Sequence, residues 1–172
     1  TRIDEGGRRH SSFEFSDRGR GPKIEEHISL DADGLPVAIT VEGRSYMGAP
    51  AQETCGRSGD SATWTSTLDR GERDIDGPVF YAAAEGTPDQ IGVLARALLQ
   101  ARDQRLALLP AGEARIEALQ THTFQVKGQP ARATLYAISG LGFTPELLWL
   151  DEDKELFALT YGWMGLAPEG AA

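Results

Sequence analysis

Only one cysteine, Cys55, occurs in 172 residues, so the chain closes no internal disulfide and cysteine usage sets no redox compartment. Cys55 sits among polar residues with no neighbouring histidine or helix start to lower its pKa, which marks it as an inert thiol. Histidine is scarce as well: His10, His27 and His122 stand singly and form no H-x-H, H-E-x-x-H or H-x-x-x-H pattern. A catalytic zinc needs several ligands converging on one point, so each of the three reads as a surface or satisfied side chain and no metal site is expected here. No apolar run approaches the roughly 20 residues of a membrane-spanning helix, and no membrane insertion is expected. Positive charge is in deficit, with 17 Lys and Arg against 26 Asp and Glu and a formal net charge of −9. That balance repels phosphate backbones and anionic headgroups, and the cations are scattered, so nucleic acid is excluded as a partner. Thr1 to His10 are polar and charged, unlike an export leader. The chain opens without methionine and enters a strand pattern at once, so a processed piece of something longer is expected, periplasmic or secreted with its leader removed.

What is present is globular: 40% apolar and 25% charged residues suit a single packed domain over residues 1–172. Apolar residues alternate with polar ones at Phe13 and Phe15, at Ile24, Ile28 and Leu30, and at Leu35, Val37, Ile39 and Val41. Side chains two apart share a sheet face, so these are strands. The intervening Gly6-Gly7, Asp17 to Pro22 and Asp31 to Gly34 supply turns, and the first forty-odd residues read as a meander of hairpins. Further strands are expected over Ala62 to Leu68, Val79 to Ala83, Leu106 to Leu109, Ala114 to Leu119, Thr121 to Val126, Thr134 to Ser139, Leu147 to Leu150 and Leu156 to Tyr161. At Thr87-Pro88-Asp89-Gln90 the grammar changes to an N-cap threonine, proline at the first helical position, an acid at the positive end and a glutamine completing a capping box. Ile91, Leu94, Ala95, Leu98 and Leu99 follow at helical spacing, with Arg96, Gln100 and Arg102 outward. The expected fold is α+β: a curved, half-barrel-like antiparallel sheet of about ten strands packed on one amphipathic helix near residues 88–102, with a closed barrel as the alternative.

No complete catalytic set emerges from the residues. Asp31, Asp33 and Glu42 take positions one, three and twelve of a possible calcium loop, but Leu35 and Val37 replace polar ligands and Pro36 stands in the turn. A similar acidic turn at Asp151 to Lys154 has Gly162 at its twelfth position, and both read as hairpin turns of repeated chemistry. Ser139 in Ile138-Ser139-Gly140-Leu141-Gly142 lacks the preceding glycine of a nucleophile elbow, and those glycines suit a bend at a strand end. Thr1 would serve as a nucleophile only in an autoproteolytic product. The most unusual local feature is the loop bearing Arg18 and Arg20 between glycines, which could clasp a carboxylate or a partner loop or pair with the acidic surface. Trp64, Trp149 and Trp163 with Tyr136 and Phe143 could line a pocket, although aromatics in strands are more often core.

Several strings extend the reading: Phe13-Glu14-Phe15-Ser16-Asp17-Arg18-Gly19-Arg20-Gly21-Pro22-Lys23, Leu30 to Pro36, Asp76 to Tyr81, Leu108 to Ile116, Ile138 to Pro145 and Trp149 to Asp153. They resemble the N-terminal region that precedes the metal-dependent barrel of certain exported bacterial amidohydrolases, over nearly the whole chain. The resemblance implies a noncatalytic accessory domain whose partner is its own downstream catalytic domain, with Arg18 and Arg20 as a docking or ligand loop. The parent enzyme would hydrolyse an amide or related C–N bond through metal-activated water. Its divalent metal would belong to the downstream domain, and no cofactor or metal is expected in this chain. Two other readings stay open: a free-standing periplasmic module that holds a small apolar ligand as lipoprotein carriers do, and independent hydrolysis.

Overall fold

The computed structural model describes residues 1–3, 7–161 and 164–171. The first half runs as β1 (Arg2–Ile3), β2 (Arg8–Glu14), β3 (Lys23–Leu30), β4 (Pro36–Arg44), β5 (Pro50–Ser58), β6 (Ser61–Thr65), β7 (Arg70–Asp74) and β8 (Val79–Tyr81). Then come α1 (Pro88–Gln100), β9 (Arg105–Leu109), β10 (Glu113–Val126), β11 (Gln129–Ser139), β12 (Glu146–Asp151), β13 (Leu156–Tyr161) and β14 (Met164–Leu166). The α+β class stands, mostly antiparallel with one α-helix among the described residues. The single curved ten-strand sheet does not: the strands form two seven-stranded sheets, ordered β1-β2-β3-β4-β5-β6-β7 and β14-β13-β12-β11-β10-β9-β8.

Local chemistry explains this correction. After β7 the chain meets Gly77 at φ +101° and then Pro78, which has no N–H to donate, so the first ladder ends. The chain resumes at β8, whose partner is β9 in parallel register, Phe80 opposite Leu108. The analogy with half-barrel lipoprotein carriers rested on one curved sheet and loses that basis. Within residues 1–172, expected as one domain, contacts gather into two compact units: Thr1–Ile91 with Ala107–Ala111, and Gly92–Leu106 with Gly112–Ala172.

In the first unit Ile24, Ile28, Ile39, Val41, Ala51, Ala62 and Phe80 are almost wholly buried, as the alternation of β3 and β4 requires. Ser66 and Leu68, expected to continue a strand, form a turn instead. The Ser66 hydroxyl accepts hydrogen bonds from the backbone N–H groups of Leu68 and Asp69, and Leu68 is exposed. In the second unit Ile116, Ile138, Leu148, Leu150 and Leu159 are buried with Leu94 and Leu98 of the helix. The two strands expected over Ala114–Leu119 and Thr121–Val126 are one strand, β10, with a bulge between Ala118 and Gln120. The helix begins at Pro88 as expected and ends at Gln100, followed by a 3-10 turn at Arg102–Gln104. Arg96, expected outward, is largely covered and pairs with Glu155 at 2.7 Å. No helix among the described residues is long and apolar enough to cross a membrane.

The two acidic turns are the same structure in the two sheets. Asp31 Oδ1 accepts from the N–H groups of Asp33 (3.0 Å) and Leu35 (2.9 Å), and Asp151 Oδ1 accepts from Asp153 (3.0 Å) and Glu155 (2.9 Å). A register shift adjoins each, at Ser29/Leu30 and at Trp149/Leu150 just before the turn. One oxygen of each carboxylate serves the backbone of its own turn, as the hairpin reading expects, and the other oxygen of Asp31 meets the Arg57 guanidinium of β5. The calcium loop's twelfth residue, Glu42, lies far along β4 opposite Gln52. Gly162, the corresponding position in the second turn, is outside the described residues.

Backbone closeness is most acute at Gly43 and Gly140, at φ +144° and +103°, where an added Cβ would run into the carbonyl oxygens of Lys23 and Glu113. Gly43→Ala and Gly140→Ala are each expected to cost more than about 2 kcal/mol in urea unfolding. The control Gly59→Ala, at φ +56° in open space, should cost about 1 kcal/mol.

Candidate functional site

Strand β3 turns Ile24, Glu26 and Ile28 to the same side, and all three are at most 2% exposed. A carboxylate in the middle of an apolar face must find donors or lose its charge. Glu26 finds four. Thr87 donates its backbone N–H (3.2 Å) and its hydroxyl (2.5 Å), Gln90 donates its side-chain amide (2.6 Å), and Ser11 on β2 lies at 3.4 Å. The Ser11 and Thr87 hydroxyls also meet at 2.7 Å. Burial pushes the Glu26 pKa from 4.5 up to about 7, against the hydrogen bonds from Thr87 and Gln90, and the neighbouring Asp89 charge adds to the rise.

These bonds revise the expected capping box. Thr87 and Gln90 do flank the helix start, and the Gln90 N–H bonds the Thr87 carbonyl at 3.0 Å. Their side chains, however, turn to Glu26, and Gln90 Oε1 accepts instead from the Ala83 N–H at 2.9 Å. The buried carboxylate occupies the place that a local cap would fill, at the positive end of the helix. Asp89 engages Arg9 of β2 in a two-pronged pair, Nε to Oδ2 at 2.8 Å and Nη2 to Oδ1 at 2.7 Å, with both side chains more than nine-tenths buried. Arg9 is thus drawn to Asp89, and Glu26 is held by neutral donors.

A second buried acid, Glu53 on β5, accepts from the Tyr81 hydroxyl (2.9 Å) and from the N–H groups of Ala84 (3.1 Å) and Glu85 (2.8 Å). Burial, then the Glu53 charge, raises the Tyr81 phenol well above its usual range, and the same two causes raise Glu85. Both acids therefore hold the segment between β8 and α1.

The loop bearing Arg18 and Arg20 is pinned on itself and on the β4–β5 connection. Asp17 and Arg20 exchange backbone hydrogen bonds of 2.6 and 2.9 Å, with Arg18 and Gly19 at positive φ. Gly21 donates to the Tyr46 carbonyl at 3.2 Å, and the Tyr46 hydroxyl donates to Asp17 Oδ2 at 3.2 Å. Between these segments lies a cleft of about 230 Å³, lined by Arg20, Arg44, Phe15, Tyr46, Met47 and Glu14 among others. Arg18 is exposed and is not part of that lining.

The remaining candidates are not brought together. His10 and His27 are cross-strand neighbours with rings stacked at 4.4 Å and 1° apart, so their nitrogens lie in parallel planes. His10 Nε2 meets Glu25 at 2.8 Å on the exposed face, and hydrogen bonds from Ser12 and His10 hold the Glu25 pKa below its usual value. His122 belongs to the second unit, edge-on to Phe124 at 4.8 Å. Among the described residues no group of three His, Cys, Asp or Glu side chains is placed to hold a metal ion. Burial raises the Cys55 thiol to about 11, as an inert thiol requires. Ser139 pairs with Arg115 at the end of β11, and Thr1 is exposed. Trp64 is buried in the first unit, its indole N–H reaching Asp69 at 3.2 Å. In the second unit Tyr136 is buried and Trp149 packs edge-on to Phe124 at 4.9 Å. Phe143 is fully exposed, and Trp163 lies outside the described residues.

Arg9, Glu26, Glu53 and Arg44 were not singled out from the sequence, and Asp89 was read only as the acid at the helix start. The signal for three of them was a charge at an inward-facing position: Glu26 between Ile24 and Ile28, Arg9 two before Ser11, and Glu53 two after Ala51. Scans against protein-family models, curated proteins and solved structures return no match to this chain.

Two outcomes follow from the interior network. The folded Glu26 pKa of about 7 lies above its ordinary 4.5. Its contribution to stability is therefore full below pH 4.5 and lost as pH rises through 7, by about 3 kcal/mol. Glu26→Gln should flatten that window in urea midpoints measured from pH 4.5 to 8. Asp89→Ala removes the two-pronged pair from the buried Arg9 and should cost about 3–5 kcal/mol, with much of the loss recovered in Arg9→Met/Asp89→Leu.

Proposed function

We propose that the chain is a noncatalytic accessory domain of an exported, metal-dependent amidohydrolase, and that it packs on the catalytic barrel with the Arg18 and Arg20 loop as its docking or substrate-gating surface. The observation that carries this reading is how the polar groups divide. Of the acids buried in the first unit, Glu26 and Glu53 close on Thr87, Gln90, Ser11, Tyr81 and backbone N–H groups of the same unit, and Asp89 closes on Arg9. The longest string of the amidohydrolase resemblance, Phe13 to Lys23, forms the pinned loop, in which Asp17 is engaged by Tyr46 and the guanidinium groups of Arg18 and Arg20 form no ion pair among the described residues. A rigid loop presenting free cations from an acidic protein suits recognition of an acidic surface more than chemistry of its own.

Under this proposal the metal and the water it activates belong to the barrel, and no residue here is assigned to hold them. The chain's part is to be folded, pinned and complementary. The reading frame containing this chain is expected to continue into a barrel with an H-x-H strand. In that intact protein, Arg18→Glu/Arg20→Glu should lower the unfolding midpoint of the barrel and expose the joining segment to protease while leaving the metal content unchanged. A reading frame with no such barrel would falsify the proposal.

A further inference from the structure

We infer that the cleft between the Asp17–Arg20 loop and the β4–β5 connection is a binding site for a small carboxylate carried on a flat apolar body. The inference goes beyond the accessory role and holds without it, since every residue it uses lies within the first unit of this chain.

Three observations carry it. The first is charge. Arg20 and Arg44 line one cleft, and neither forms an ion pair among the described residues, in a chain of net charge −9. The acids nearby are engaged: Glu14 meets Lys23 at 3.4 Å, and Asp17 accepts the Tyr46 hydroxyl at 3.2 Å. Two unpaired guanidinium groups facing one space match the two oxygens of a carboxylate, each by a planar fork of N–H donors.

The second is the wall. Phe15 and Tyr46 lie 6.0 Å apart at a tilt of 41°, and Met47, also in the lining, stands 71% exposed. A thioether and aromatic faces favour a flat apolar group over a fully hydrated ion. The third is rigidity. Backbone hydrogen bonds close the turn, Gly21 ties it to Tyr46, and an added Cβ at Gly21 would strike the Phe15 carbonyl, so the two rims hold a fixed spacing. Preorganised rims avoid the ordering cost that a floppy loop would impose on binding. The volume of about 230 Å³ has room for one ring-sized body. A cleft of similar size in the second unit is lined by Asp151 and Glu152 with Arg132, Thr134 and Lys154 and has no aromatic wall.

The test titrates the intact chain with benzoate, following heat and backbone amide shifts, beside benzamide, acetate and inorganic phosphate. Benzoate should saturate with a Kd of about 1 mM or tighter, shifting Gly19 to Gly21 and Tyr46 to Gly48. Benzamide and acetate should each bind at least tenfold more weakly. Arg44→Gln and Arg20→Gln should each weaken benzoate at least tenfold with thermal unfolding unchanged. Should a variant unfold, the unmodified chain at rising ionic strength supplies the same readout, because the affinity must fall with salt. Benzamide binding as tightly as benzoate, phosphate binding as tightly as benzoate, shifts confined to other residues, or affinity indifferent to salt would each overturn the inference. None of these outcomes bears on whether a barrel follows the chain, so the two proposals fail separately.

Discussion

The carboxylate of Glu26 is where the first unit is joined together. It sits on the inward face of β3, fully buried, and draws the residues that open α1 and a serine of β2 to a single point. An isolated ion in such a place would be prohibitively unstable, so the surrounding donors are obligatory and their positions are fixed by the acid they serve. The Arg9–Asp89 pair beside it repeats the constraint with opposite signs, joining β2 to the same helical turn. Together they set where the helix starts and which residues face inward, a degree of specification that an apolar contact of similar area does not give.

This arrangement has a thermodynamic character of its own. Neutral donors soften the burial of Glu26 without cancelling it, so its charge is disfavoured near neutral pH. Glu53 receives two backbone N–H groups and a phenol, where Glu26 receives one backbone N–H and side-chain donors. The two acids thus hold one connecting segment from different strands, β3 and β5, by different means. The surface loop with Arg18 and Arg20 is rigid for another reason, its turn being closed by backbone bonds and a tyrosine and not by a buried charge.

Legibility in the sequence followed the strength of local signals. Period-two apolar patterns announced β3, β4 and β11 to β13, and Pro88 with its acid and apolar stripe announced α1, because these signals lie within one element. Strands β5 and β7 were missed: Pro50–Ser58 and Arg70–Asp74 hold almost no β-branched or aromatic residues and are strands only because Thr40, Val41, Trp64 and Thr65 present them with ladder partners. The Thr87 cap was correctly located but its partner was not, since a local box and a remote carboxylate compete for the same side chains.

By itself the sequence determined the α+β class, the helix, the two congruent Asp turns and the acidic balance, all of which depend on residues near one another along the chain. Only the tertiary structure decided that the strands divide into two sheets, that Glu26 and Arg9 meet the helix start with opposite charges, and that Arg44 joins Arg20 across a cleft. Those facts depend on pairs such as Arg9 with Asp89 and Glu26 with Gln90, 80 and 64 residues apart. No periodicity encodes such pairs. Only the register of the folded strands brings them within reach of a hydrogen bond.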